Sequence, residues 1–420
     1  MRIALTSYSG YGAWFTRRLV KERHQVSYFI KPEVPEELMV CHGLSVKPSQ
    51  SKPDYANYHL SVFDLTGRKR AADASLETTP TIGDGSLNCM LEDDRELGLK
   101  FMEDAGINVP PHETFNDTSS AIAFVKRSGR RYVLKPFDCE DSDATYVSTD
   151  AEDMIGYIQR LPQIIQAKPF LLQEFVTGTE IGIEGWFDGT NFWLLNATLE
   201  DKKFMNDNKG PNTGCAGNLV FLIGESSRIY REGLGKAKDL LQQSGFRGMI
   251  DLNTIVTEDK AYGLEWTPRF GYDSSPTLMR MYAGDYGEMM GAIASGVQPD
   301  ALWRSEYGVS VKMTIPPFPS YIRGKHRAGV ICTGLDPDRD YLHDCMTKAS
   351  FNAKDPTLET AGVNGWIASP IITGGDPVRA WEELYQIVNH NIHIPNVQYR
   401  TDCDKSSLKK LARLKTQGWV

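Results

Sequence analysis

The chain opens on an apolar run, RIALTSY, and continues through SGYGAWFTRRLVKERHQVSYFI. There the apolar residues first recur at helical spacing and then cluster again. The pattern predicts a strand, a glycine turn, an amphipathic helix and a second strand. YHLSVFDLTGRKRAADA and TPTIGDG repeat the theme, so a small α/β unit is expected to end near residue 90. Gly10 and Gly12 either aim helix-terminal amides at an anion or serve close packing alone; their spacing falls short of G-x-G-x-x-G.

From residue 91 the rhythm changes. LEDDRELGLKFMEDAGINVPPHETF predicts one helix with Leu91, Leu97, Leu99, Phe101 and Met102 partly on one face, stopped by Ala-Gly. AIAFVKRSG predicts a helix, RRYVLKPFD a strand that ends on Lys135, DATYVSTD a strand and AEDMIGYIQRL a helix. PFLLQEFVTGTEIGIEGWFDG reads as strand, kink, strand. Ile181, Ile183 and Gly185 alternate there with Glu180, Glu184 and Trp186, the period of two of a sheet. GMIDLNTIVTEDKAYGLEWTPRFG predicts two strands about a TEDK turn. Residues 91 to 280 therefore read as α+β.

Composition narrows the class. The chain has 420 residues, 41% hydrophobic and 24% charged, enough for about three domains of an ordinary globular protein. A net charge of −8 supplies no global basic field for nucleic acid. The seven cysteines include no C-x-x-C pair, which points to reduced thiols in a cytoplasmic setting. Neither a membrane-spanning run nor a secretory signal is expected.

Four features carry candidate chemistry. Lys135 and Arg95 would bring two cations to one cleft, as a polyphosphate requires. QEFV offers backbone groups beside Phe175 and Val176, a slot for an adenine edge, and Glu180 follows for ribose hydroxyls. EDKKFMNDNKGPNTGCAGN gathers lysines, amides and glycines, with Pro-Asn-Thr-Gly expected to turn. In the two-stranded stretch, a turn near Glu258 would place Asp251 opposite Glu265 among apolar flanks. Two facing buried carboxylates are costly unless a divalent cation joins them.

The order Arg95, VLKP, LLQEFVTGTE, MIDL and LEWTPRFG resembles the ATP-grasp superfamily, and the EDKKF…GPNTGCAGN stretch resembles its phosphoribosylamine–glycine ligase branch. The resemblance runs from about residue 91 to 280 and more faintly through the N-terminal part. It implies an α/β and α+β architecture: an N-terminal βαβ (pre-ATP-grasp) domain at 1–90, an ATP-grasp domain at 91–300 and a small C-terminal α+β domain at 301–420. It implies ATP bound by Arg95, Lys135, Glu174, Phe175, Val176 and Glu180. Mg2+ or Mn2+ would sit on Asp251, Glu265 and Thr267. Arg269 and Lys203 would act on the transferring group, and Pro211, Asn212, Thr213 and Gly214 would line the acyl or acceptor side.

The implied chemistry is amide formation through an acyl phosphate, with release of ADP. The expected substrates are a small carboxylate, glycine or another amino acid, and a small amine, with phosphoribosylamine as default. Alternatives are a different amine, such as a modified nucleotide, a DNA base or a peptide, and a non-catalytic ATP-binding protein. A monomer or homodimer without membrane association is expected. Three departures stand out: Thr267 replaces the family's metal-binding asparagine, Arg95 replaces a lysine, and the C-terminal glycine-rich segments are largely missing.

Overall fold

The computed structural model describes the chain except residues 8–9, 45–46, 67–68, 84, 138–144, 162–167, 321–326 and 348–356. The N-terminal apolar runs become β1 (Arg2–Ser7), β2 (Gln25–Ile30), β3 (Pro48–Ser49), β4 (Leu60–Phe63) and β5 (Thr81–Ile82). They form a parallel sheet in the order β3-β2-β1-β4-β5. β4 is buried throughout, as a parallel strand covered on both faces must be. The helix Gly12–Lys21 follows β1. A Cβ at Gly12 would lie 2.5 Å from Asp64 Oδ2, so packing alone demands glycine there.

The helix expected from Leu91 to Met102 is two helices, Ser86–Asp93 and Arg95–Asp104. Asp94 breaks the run because its carboxylate caps the second helix, accepting from the Leu97 N–H at 3.0 Å. Leu97 is consequently exposed, while Leu99 and Met102 are buried. β6 (His112–Phe115), β7 (Tyr132–Pro136), β8 (Tyr146–Val147) and β9 (Phe170–Glu174) then form an antiparallel sheet in the order β6-β9-β7-β8. The helices Thr118–Ser128 and Ala151–Gln159 supply Val125 and Met154 to its own apolar cluster, with Leu134 and Leu172 from the strands. The expected DATYVSTD strand falls partly outside the described residues.

The remaining strands are β10 (Thr179–Phe187), β11 (Phe192–Met205), β12 (Lys209–Leu222), β13 (Gly248–Val256), β14 (Ala261–Thr267), β15 (Tyr307–Val311), β16 (Met313–Thr314), β17 (Ile331–Cys332), β18 (Tyr341–Leu342), β19 (Cys345–Thr347), β20 (Leu358–Thr360), β21 (Trp366–Ser369) and β22 (Ile371–Gly374). The main antiparallel sheet runs β14-β13-β10-β11-β12-β15-β22, and β16-β21-β18 and β17-β20-β19 are small sheets. The expected loop at 200–218 is instead the end of β11 and the start of β12. Pro211–Gly214 lie inside β12, and the reversal occurs at Asn206–Asn208. Asp207 and Asn208 adopt φ of 59° and 56°, a conformation these two residue types tolerate better than most.

The ladders build one polar face. Thr267, Asp251, Glu184 and Asn196 pair in one row across β14, β13, β10 and β11. Glu265, Asn253, Gly182 and Thr198 form the next. The alternate positions Ile181, Ile183, Ala197, Leu199, Leu252 and Trp266 enter the main core.

Candidate active site

Two elements bring cations to the polar face. Lys135 arrives at the end of β7, only 8% exposed. Burial, aided by the charges of Arg95 and Lys202 and opposed by Glu265 and Glu180, lowers its pKa to about 8. Arg95 comes from the first turn of its helix, and its buried Nε has no hydrogen-bond partner among the described residues. Glu265 opens onto the cleft. Desolvation would raise its carboxyl, but Lys202, Lys135, Arg95 and Arg269 together outweigh it and hold the group below the usual range.

Asp251 does not stand opposite Glu265. The TEDK turn joins Val256 to Ala261, and an irregularity after Asn253 slips the ladder by one residue. Asp251 thus pairs with Thr267 and Asn253 with Glu265, all on the same face. Across the other ladder Asp251 faces Glu184. Burial and the charges of Glu184 and Glu200 push Asp251 well above the carboxylate range. Asn253 donates to Asp251 Oδ2 at 3.0 Å, and Asp251 Oδ1 is buried without a hydrogen-bond partner among the described residues. An oxygen-rich corner with one unanswered buried carboxylate oxygen fits a hard divalent cation.

Arg269, expected on phosphate, is engaged by Glu92 in two contacts from Nε and Nη2 at 2.9 and 2.8 Å. Both side chains line a cleft with Arg95, Glu265 and Thr267. Glu180 is likewise engaged: Lys202 Nζ lies 2.5 Å from its Oε1. Lys202, not Lys203, is the strand lysine whose charge acts on Glu180, Glu200 and Glu265. Lys203 pairs across the hairpin with Asn212, and its carbonyl accepts from Arg400.

At the hinge, Glu174 forms an ion pair with Arg130 at 2.6 Å and the Phe175 ring lies under the Arg131 guanidinium at 3.5 Å. The Glu174 and Phe175 N–H groups are taken by the carbonyls of Pro111 and Arg131, whereas the Val176 N–H enters no backbone bond among the described residues. On β12, Pro211 and Gly214 are exposed, Asn212 is half-buried and Thr213 is buried. Lys312 Nζ donates to the Thr213 carbonyl at 2.9 Å and pairs with Asp273 at 3.0 Å. Sequence reasoning missed Lys202, Asn253, Asp273 and Lys312, and it treated Glu184 only as part of a strand pattern. The alternation from Glu180 to Glu184 already put that residue on the site face.

Residues 94–274 match the family described as phosphoribosylglycinamide synthetase, ATP-grasp (A) domain. Those residues carry an ATP-grasp domain similar to that of phosphoribosylamine–glycine ligase. The phosphoribosylamine–glycine ligase of Streptomyces coelicolor is 24% identical over 343 residues, 79% of either chain. That of Lactococcus lactis is 22% identical over 242 residues, which are 56% of this chain and 58% of that one. The chain thus spans little more than half the length of one ligase and about four fifths of the other. A solved phosphoribosylamine–glycine ligase from Thermotoga maritima superposes with a TM-score of 0.76 at 17% identity, covering 96% of this chain and 100% of that one. The likeness in fold covers nearly the whole chain. Among the described residues, no helix is long and apolar enough to cross a membrane.

Proposed function

We propose that the protein is an ATP-dependent carboxylate–amine ligase that forms an amide through an acyl phosphate. The observation that carries this reading is the meeting of Arg95, Lys135 and Lys202 around Glu265 on the polar sheet face. Three cations against a carboxylate row suit a polyphosphate bound with its metal. ATP would lie between β7 and the main sheet, with adenine at the Val176 N–H and ribose near Glu180. Magnesium would be held by Asp251 and Glu265, with Thr267 and Asn253 beside them, and would neutralise phosphate charge when bound.

The steps follow from positioning. A carboxylate oxygen attacks the γ-phosphorus, ADP leaves, and the acyl carbon becomes electrophilic. Lys135 and Arg95 hold the nucleotide phosphates, and Lys202 faces the charge that develops during transfer. Arg269 reaches the acyl phosphate on leaving Glu92. An amine then displaces phosphate. The carboxylate is proposed to be glycine or another amino acid, and the default amine is phosphoribosylamine.

A different amine has its own support. His343 stacks between Tyr11 and Trp366, with ring centroids 3.8 Å away on both sides, and Lys312 lies 3.7 Å over the Trp366 ring. A buried aromatic stack fills this junction of N- and C-terminal elements, where a glycine-rich phosphate cradle would need open backbone. The test is a screen of ADP release from ATP and magnesium against amino acids, with and without candidate amines. ADP release stimulated by an amino acid supports the ligase; AMP and pyrophosphate would overturn it.

A further inference from the structure

We infer that Glu200 is the catalytic residue that accepts the proton lost by the attacking amine, an inference that rests on the ligase reading above. Glu200 stands on the polar face of β11, paired with Asn218 of β12. Its strand is pinned from behind by the helix Cys403–Thr416. Lys410 Nζ donates to the Glu200 carbonyl and to Asp201 Oδ1, both at 2.8 Å, and Ser406 Oγ donates to Asp201 Oδ1 at 2.6 Å. With Asp201 held behind the sheet, strand alternation keeps the Glu200 carboxylate on the cleft side.

The neighbouring carboxylates each already accept a hydrogen bond or pair with a lysine, and the open oxygen of Asp251 is assigned above to the metal corner. Glu180 pairs with Lys202, Glu184 accepts from Asn196 and Thr198, Asp251 accepts from Asn253, and Asp273 pairs with Lys312. The half-buried Glu200 carboxylate has no hydrogen-bond partner among the described residues. The charged and titratable groups around it are Lys202 on its own strand, Glu180 and Glu184 on β10, Asp251 on β13, Cys215 on β12 and Asp273 after β14. Burial dominates, Lys202 opposes it, and the carboxylates add to it, so its pKa rises to about 7. A base poised near neutrality is the efficient proton acceptor at that pH.

Its place also fits the order of events. Glu200 feels the charges of both ion pairs, Lys202–Glu180 on the proposed phosphate side and Asp273 of the Asp273–Lys312 pair on the proposed acceptor side. The amine nitrogen uses its lone pair to form a C–N bond with the acyl carbon. The bond from that carbon to the phosphate oxygen breaks, and its electron pair leaves on phosphate. The extra proton on nitrogen passes to a Glu200 oxygen, leaving a neutral amide.

The experiment uses the full chain with ATP, magnesium, a panel of amino acids that includes glycine, and hydroxylamine as the acceptor probe. Hydroxamate and ADP are both counted. In Glu200→Gln, hydroxamate formed per ADP should fall at least ~100-fold above neutrality. The ratio of variant to wild type should climb towards one as pH drops below about 7, because wild-type Glu200 is then protonated too. Glu200→Asp should recover part of the loss, which also covers a glutamine variant that fails to fold. An unchanged hydroxamate-to-ADP ratio in Glu200→Gln, or a deficit independent of pH, overturns the base while leaving the ligase standing. Wild-type protein that makes no hydroxamate with any amino acid overturns both.

Discussion

Asp251 faces Glu184 directly across the β10–β13 ladder, and both carboxylates are buried. Burial raises the pKa of each, and for Asp251 the Glu184 charge adds to it. A raised carboxylate binds more protons folded than unfolded. Its stability contribution is therefore present at acid pH and lost as pH rises through the folded value. Asp251→Asn should stabilise the ligand-free protein at neutral pH by about 1 kcal/mol, with the gain vanishing near pH 4. The same variant should lose magnesium-dependent ATP binding. Paired thermal melts and calorimetry check both; a variant that keeps metal-dependent binding would remove Asp251 from the metal corner.

Lys202 and Lys203 are adjacent in sequence and unequal in place. Lys202→Ala should lower turnover by ~100-fold, the typical cost of one electrostatic contact made in the transition state. Lys203→Ala should stay within a few-fold of wild type. Steady-state ADP release measured side by side separates them, and the reverse ranking would restore Lys203 to the acyl side.

Lys135 has a depressed pKa of about 8. Phosphate binds its protonated form, so ATP affinity should weaken as pH rises from about 7 to 9. Lys135→Ala should bind ATP ~10- to 100-fold more weakly at pH 7 and show a flatter profile. Without ligand the sign is opposite. The unfolded lysine binds more protons than the folded one between about pH 8 and its ordinary value, so that group's contribution to stability grows across the window. Titrations at several pH values test the first part and urea melts the second.

Arg269 is tied to Glu92. Glu92→Ala leaves the guanidinium without its carboxylate partner and should cost about 2 kcal/mol in the ligand-free protein. ATP with an amino acid should recover part of that loss, because the freed guanidinium then meets phosphate. Equal destabilisation with and without ligands would show that Arg269 serves structure alone.

The local pattern marked many of the groups that line the polar face and its cleft. Apolar runs marked the N-terminal parallel strands. The period of two in TEIGIEGWF put Glu180 and Glu184 on one face and Ile181 and Ile183 on the other, because side-chain alternation follows from backbone geometry alone. Lys135 ends a strand, Arg95 begins a helical segment, and the order of motifs resembled an ATP-grasp protein. Those features are properties of neighbours in sequence, so sequence determined them.

What only the tertiary structure decided is which groups meet. The turn that pairs Val256 with Ala261 and the one-residue slip after Asn253 each moved the register by one, taking Asp251 from Glu265 to Thr267. Cross-strand register depends on pairing energy along the ladder and not on counting from a turn. Pro-Asn-Thr-Gly carries turn residues, yet it lies within β12: pairing of Asn212 with Lys203 and the Lys312 contact at the Thr213 carbonyl hold it beside β11. Its turn preference survives only as the left-handed Gly214, φ 71°, at an irregularity in the ladder. Once β11 extends through this stretch, Lys202 falls in step with Asn196, Thr198 and Glu200 and meets Glu180, whereas Lys203 is out of step by one. Glu92 reached Arg269 from 177 residues away. Local propensity is worth tenths of a kcal/mol per residue, whereas burying and pairing charge is worth several, so long-range contacts set the final geometry of the site.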